Sequence, residues 1–434
     1  MNSVDQTGSG LGVSRWLIVA LLAGFSMISY LDRTIISIAG PQIISEFGVS
    51  PSAMGAVYSA FTLGYALFMI PGGHFTDRFG AWRTLIAVGA GSALFTGVTV
   101  LGGTAGLGAV VGIVPFLFVT RLALGVANAP LYPACARTTA NWIPVAYHGR
   151  VQGLIIAGSS FGAASAPLLF TQMAIYFPWR FSFVIAALAT AALAFSWFWY
   201  ARDYPERRHA IRPAQASEPA RSWRALFRNR NLLLITYAYG ALGYFQYIFF
   251  YWMYYYFENV LHLSKSVSAS CTTVLFVTEG LIMPLGGLVS DRLTKLYGPQ
   301  LGRRIVPMAG LSLGALLLYL ATESSGFTAV LCLSLACGLA ACCEGPFWAT
   351  VTEMSREQVG GASSILNTGA QIGGFFAPVL TPLIAARSGW HWALYAGCLL
   401  AISGVIAVYG VRLLPEARNA EDVQERETPF TSAV

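Results

Sequence analysis

Apolar residues run along this chain in long blocks separated by short polar breaks. Each block is about as long as a bilayer-spanning helix requires, roughly 20 residues. Twelve blocks are read, near 16–38, 53–72, 82–103, 111–134, 150–174, 180–201, 232–257, 268–289, 304–322, 327–350, 361–386 and 391–412. The pattern predicts an all-α membrane protein with twelve transmembrane helices. Landmarks recur at nearly one spacing. Gly73-His-Phe-Thr-Asp77-Arg78 returns as Gly287-Leu-Val-Ser-Asp291-Arg292, 214 residues on, and Asn128-Ala-Pro130 as Glu344-Gly-Pro346, 216 on. Gly158, Gly162, Pro167 and Trp179 return as Gly369, Gly373, Pro378 and Trp390, each 211 on, against a half-length of 217. The repeat predicts two pseudo-symmetric six-helix bundles, residues 1–201 and 232–413, with a substrate site between them near the midplane. Residues 202–231 hold eight Arg and no apolar run and read as a cytoplasmic linker, and 414–434 as a cytoplasmic tail.

Composition agrees. Of 434 residues, 56% are hydrophobic and only 10% charged, with mean hydropathy +0.61; soluble domains carry about 25% charge. The net charge of +7 is better read as orientation than as nucleic-acid binding. With the first residues inside, only Arg180, Lys265 and Arg387 fall outside, Arg33 and Arg121 lie within spans, and the other 21 of 26 cations are cytoplasmic. That is the positive-inside pattern, with both ends in the cytoplasm. No cleavable signal peptide is evident.

Asp32 and Arg33 sit inside the first apolar block. A charge near the middle of a spanning helix costs at least ~2.5–3.5 kcal/mol, so it is expected to face the protein interior or a solute path. Neighbours on a helix point apart, so each needs its own partner. The seven cysteines lie in or beside spans, without zinc or disulfide spacing, and read as small structural residues; the five histidines are scattered. No Gly-rich loop ending in Lys-Ser/Thr is present, so a nucleotide-driven pump is not expected, and no cofactor or metal is implied. A membrane sensor or membrane-embedded enzyme would want a signalling domain, a metal cluster or a nucleophile with its base, none of which is read here.

The spans, the repeat, and the motifs Tyr30-Leu-Asp-Arg33, Ser59-Ala-Phe-Thr-Leu-Gly-Tyr65, Pro71-Gly-Gly73 through Asp77-Arg-Phe-Gly80, Arg121-Leu-Ala-Leu-Gly125 and Ala129-Pro-Leu-Tyr-Pro133 resemble the major facilitator superfamily. They are most similar to its anion:cation symporter branch, with bacterial sugar-acid carriers and animal vesicular glutamate and sialic acid carriers. The resemblance covers about residues 15–413. It implies that Arg33 grips the substrate carboxylate, for which a guanidinium fork is suited. It implies that Tyr30 and Tyr65 line the cavity, that Asp32 is a titratable acid in proton coupling, and that Arg121 exchanges partners with such acids. The branch usually has a glutamate seven residues after that arginine; here stands Asn128, which cannot carry a proton but can hydrogen-bond near Arg121. Coupling then rests on Asp32 alone, moves to Glu344 or involves Glu279, or is lost.

Span 7 is crowded with aromatics from Tyr244 to Tyr256, most of them expected to face lipid or the interface belt, with Gln246 and Tyr247 offered to the cavity. Asn367 and Gln371 share a face of span 11 and are further substrate candidates, with Ser159 and Trp348. Asp77, Arg78, Arg83, Asp291 and Arg292 are read as gate elements, and Gly73 as a point of close helix approach. The expectation is a monomeric secondary transporter in a bacterial inner membrane. It moves a small organic anion (a hexonate, aldarate or hexuronate) with protons by alternating access. An aromatic carboxylate carrier and an uncoupled uniporter or exchanger remain as alternatives.

Overall fold

The computed structural model describes residues 13–103, 111–143, 148–203, 223–354 and 359–412. Twelve helices in it are long and apolar enough to cross a membrane. In chain order, spans 1 to 6 are Val13–Phe47, Pro51–Phe79, Ala81–Val98, Ile113–Asn128 continued by Leu131–Trp142, His148–Tyr176 and Trp179–Tyr200. Spans 7 to 12 are Arg230–Tyr255 with a terminal π turn Tyr256–Val260, Lys265–Tyr297, Pro299–Thr322, Gly326–Ala341 continued by Glu344–Met354, Val359–Ser388 and Trp390–Gly410. Several outrun their apolar blocks. Span 1 extends past residue 38 to Phe47 and span 2 past 72 to Phe79, because a helix satisfies its own backbone hydrogen bonds whether or not its side chains are apolar. Most of the expected linker and all of the expected tail lie outside the described residues; within the linker, Trp223–Arg228 is a short helix and span 7 begins at Arg230.

The repeat has a physical basis in small residues. A Cβ on Gly158 or Gly162 of span 5 would strike the carbonyls of Ala23 and Met27 on span 1. A Cβ on Gly369 or Gly373 of span 11 would strike those of Thr236 and Gly240 on span 7. Spans 1 and 5, and likewise 7 and 11, therefore pack backbone to backbone, as helices in lipid do where side chains are absent. Spans 4 and 10 break at matching places, after Asn128 and before Glu344. Gly80 and Gly298, at φ 86° and 82°, make the sharp turns from span 2 to 3 and from span 8 to 9, a conformation that favours glycine.

Several contacts between the halves lie on the side away from Val13 and Arg412. Tyr58 stacks on Tyr251, the Ser59 hydroxyl donates to the Phe375 carbonyl at 2.6 Å, and the Trp252 indole donates to the Pro378 carbonyl at 3.1 Å. Thr273 donates to the Ala164 carbonyl at 3.0 Å between spans 8 and 5. The aromatics of span 7 correct the lipid-facing expectation. Tyr244, Phe245, Phe249, Tyr251, Trp252, Tyr254 and Tyr256 are all buried, because span 7 lies at the junction of the halves, against spans 1, 11 and 12.

Candidate functional site

Arg33 and Asp32 point apart, as adjacent helical residues must, and enter different surroundings. Arg33 turns to the junction of the halves and is 8% exposed. Its Nε donates to the Tyr251 hydroxyl at 3.2 Å and its Nη2 to Thr62 Oγ1 at 3.3 Å. Five rings surround the guanidinium: Tyr247 at 4.6 Å, Phe61 at 4.9 Å, Phe250 at 5.1 Å, Tyr30 at 5.8 Å and Tyr251 at 6.0 Å. Ring faces attract a cation by about 0.5–2 kcal/mol each. Among the described residues no carboxylate forms an ion pair with Arg33. The centre of the molecule thus holds a positive charge that no carboxylate among the described residues contacts.

Asp32 is fully buried within the first half. One carboxylate oxygen accepts from Thr190 Oγ1 of span 6 at 3.1 Å, and Thr96 of span 3 also faces the carboxylate. Arg121 of span 4 does not pair with this carboxylate. Its Nη1 donates to the Asp32 backbone carbonyl at 3.0 Å, its Nη2 to Thr99 at 3.3 Å, and its guanidinium lies over the Phe183 ring. Asn128 does not bond Arg121 either. It accepts from Ser29 at 2.8 Å and donates to Ser92 at 2.9 Å and to the Leu124 carbonyl, tying spans 1, 3 and 4 together.

The second half brings two acids towards the same centre. Glu344, at the break in span 10, accepts a hydrogen bond from the Tyr239 hydroxyl, which accepts in turn from the Trp348 indole at 2.9 Å. Gln246 lies near the Glu344 carboxyl. Glu279 of span 8 accepts a weak bond from the Cys337 thiol at 3.8 Å and lies close enough to Glu344 for their charges to interact. Tyr247 feels both Arg33 and Glu344, and Tyr30 both Arg33 and Glu279, so these groups form one electrostatic neighbourhood.

The remaining candidates are divided. Tyr65 stacks on Phe61 of the Arg33 box, centroids 6.1 Å apart. The Asn367 amide reaches Met69 Sδ of the other half at 3.1 Å. Gln371 is buried, and its Oε1 has no hydrogen-bond partner among the described residues. The contacts Ser59–Phe375 and Met69–Asn367 align antiparallel spans 2 and 11, which places Gln371 between them, level with Thr62 and Tyr65. Ser159 spends its hydroxyl on the Ile156 carbonyl of its own helix at 2.6 Å.

At the side of the termini, Asp77 pairs with Arg137 of span 4 at 3.2 Å, and Arg137 also donates to the Thr76 carbonyl. In the second half Arg303 of span 9 pairs with Asp291 at 2.6 Å and with Glu353 of span 10 at 2.6 Å. These latches lie within one half each. Arg78 rests over Phe79, and Arg83 and Arg292 are exposed without an ion pair among the described residues. Gly73 is not the close approach expected: a Cβ there would meet nothing within 4 Å, whereas one on Gly72 would press on Pro130. The helix turns Gly72 inward and Gly73 outward.

Thr62, Phe61, Phe250, Tyr239, Arg137, Arg303 and Glu353 were not anticipated. Arg303 follows Asp291 by 12 residues and was accessible to charge pairing; Arg137 is 60 residues from Asp77 and carries no local signal.

Comparison with known proteins adds the lineage. The Major Facilitator Superfamily profile matches residues 22–352 and 256–434. A probable sulfoacetate transporter of Cupriavidus necator is 26% identical over 91% of this chain and 94% of its own length. A hexuronate transporter of Bacillus subtilis is 26% identical over 91% and 92%, and a probable L-galactonate transporter of Escherichia coli 26% over 90% and 88%. Among solved structures, a bacterial homologue of the human lysosomal transporter Spinster, inward-facing and occupied, superposes with TM-score 0.75 at 16% identity over 93% of this chain and 97% of that one. A D-xylose–proton symporter superposes with TM-score 0.70 at 16% identity, over 93% and 98%. The chain belongs to the Major Facilitator Superfamily, as a multi-pass membrane transporter and not an enzyme.

Proposed function

We propose that this transporter carries a small organic anion, a sugar acid such as a hexonate, aldarate or hexuronate, by alternating access. The observation that carries the reading is Arg33, a buried guanidinium at the junction of the halves that pairs with no carboxylate among the described residues. A substrate carboxylate completes the charge and bonds the free edge of the fork. The names of its relatives, carriers of sulfoacetate, hexuronate and L-galactonate, support an anionic cargo. Gln371, Asn367, Gln246, Tyr30, Tyr65 and Tyr247 offer polar contacts to the rest of the substrate.

The setting we infer is a bacterial inner membrane, with a monomer whose termini both lie in the cytoplasm. Contacts between the halves then close the outer side, and substrate leaves inward. Proton symport is the favoured driving mode, with Asp32, Glu344 and Glu279 as the acids available and Asn128 holding helices rather than protons. A monoanion entering with two protons is driven inward by about 2.3 kcal/mol per 100 mV. Uptake by reconstituted protein that ignores both pH gradient and membrane potential would leave a uniporter or exchanger.

A thermal-unfolding screen against small carboxylates, with Arg33→Ala as control, tests the cargo. A ligand at 100 times its Kd stabilises the folded state by about 2.7 kcal/mol. A shift with a sugar acid that the variant loses supports the reading, and an equal shift in the variant overturns it. The five rings around Arg33 favour a second reading, an aromatic carboxylate, and the same panel decides between them.

A further inference from the structure

Cys342 and Cys343 are the two residues at the break in span 10, between Gly326–Ala341 and Glu344–Met354. In an unbroken helix, side chains of neighbouring residues diverge by about 100°, which keeps adjacent thiols apart. Here both sulfurs approach one oxygen, the Leu339 carbonyl, at 2.9 Å from Cys342 and 3.6 Å from Cys343. Span 9 makes room for the pair. A Cβ on Gly310 would fall 2.6 Å from Sγ of Cys343 and 2.9 Å from Sγ of Cys342, so the glycine leaves the niche the sulfurs occupy. No disulfide joins them.

We infer that Cys342 and Cys343 form a vicinal dithiol site for thiophilic trivalent arsenicals. Thiolate is a soft donor that selects soft acceptors over the hard ions favoured by carboxylates. An aryl arsenic(III) oxide reacts with both thiols: two As–S bonds form, the As–O bonds break, and the two thiol protons leave with the oxygen as water. Arsenic stays trivalent, so no oxidant or reductant is needed. The ring closes on adjacent residues because the helix is already open there. The thiols are buried, Cys342 at 8% and Cys343 at 0% exposure. The reagent therefore has to be neutral and apolar and arrive through the membrane or detergent phase.

The probe is phenylarsine oxide on the purified full-length protein, read by intact mass and by titration of remaining thiols. We expect a single phenylarsenic bridge and the loss of two titratable thiols. The bridge resists excess 2-mercaptoethanol and is released by 2,3-dimercaptopropanol. It disappears in Cys342→Ser and in Cys343→Ser. It persists in a chain whose other cysteines, Cys135, Cys271, Cys332, Cys337 and Cys398, are alanine. No bridge in the native or pair-only chain, release by the monothiol, or an unchanged bridge in either serine variant would overturn the site. The readout does not depend on the cargo, so it stands or falls separately from the anion reading.

Discussion

Tyr58 of span 2 and Tyr251 of span 7 lie face to face across the junction of the halves, ring centroids 5.3 Å apart and planes 9° from parallel. Tyr251 also accepts from Arg33, so the stacked pair connects the seal on the far side to the charge at the centre. An aromatic pair contributes about 0.5–1.5 kcal/mol beyond burial. Tyr58→Ala is expected to shift the open–closed equilibrium of that side by about 2- to 13-fold towards open, by the same figure. Spin-label distances across the far face check it; an unchanged distribution would show that the pair is passive.

Arg33→Lys is a sharper test of the anion grip than Arg33→Ala. Lysine keeps the charge but loses the planar fork. We expect a folded protein whose apparent affinity for its anion falls at least about 30-fold, the equivalent of ~2 kcal/mol for a disrupted buried charge contact. Binding measured by calorimetry gives the number, and native affinity in the lysine variant would mean that charge alone suffices.

Asp32→Asn is expected to fold, because Arg121 is anchored on the residue 32 carbonyl, which the substitution keeps. Thr190 can still donate to the amide oxygen. If Asp32 carries the coupling proton, counterflow exchange persists while uphill uptake on a pH gradient is lost. Retained uphill uptake moves the proton site to Glu344 or Glu279, and the corresponding glutamine variants then take over the test.

The glycine seams give a stability prediction with an internal control. Gly373→Ala forces a methyl group against the Gly240 carbonyl and is expected to cost about 1–3 kcal/mol, the usual range for overpacking. Gly73→Ala meets open space and is expected to change stability by less than about 0.5 kcal/mol. Thermal unfolding in detergent compares the two; equal loss would discard the packing argument.

Much of this architecture was legible in the sequence because lipid imposes a coarse rule: spanning segments must be apolar and helical. The repeated glycines Gly158, Gly162, Gly369 and Gly373 marked the repeat, and the divergence of Asp32 and Arg33 followed from helical geometry. What was not legible has a common cause. The rings of span 7 look equally suited to lipid and to a protein junction, and only tertiary placement shows them enclosed. Arg121 reads as a partner for a carboxylate, yet it takes a carbonyl, a choice no sequence displays. The partner of Asp77 lies on another helix, and Gly72 rather than Gly73 faces inward because a turn of about 100° per residue decides between neighbours.

The latches at the side of the termini bear on whether the halves are interchangeable modules. Arg137 and Glu353 stand 216 residues apart, the same interval that relates Asn128 to Glu344, so they occupy matching places with opposite sign. Among the described residues the first half closes its latch with one acid and one base, and the second with two acids on a single base. A chimera made by fusing two copies of the first half would keep its glycine seams but lose the three-membered cluster around Arg303. Two matching bundles thus carry different charge sets at corresponding places, so one half could not stand in for the other at this point without rebuilding its ion pairs.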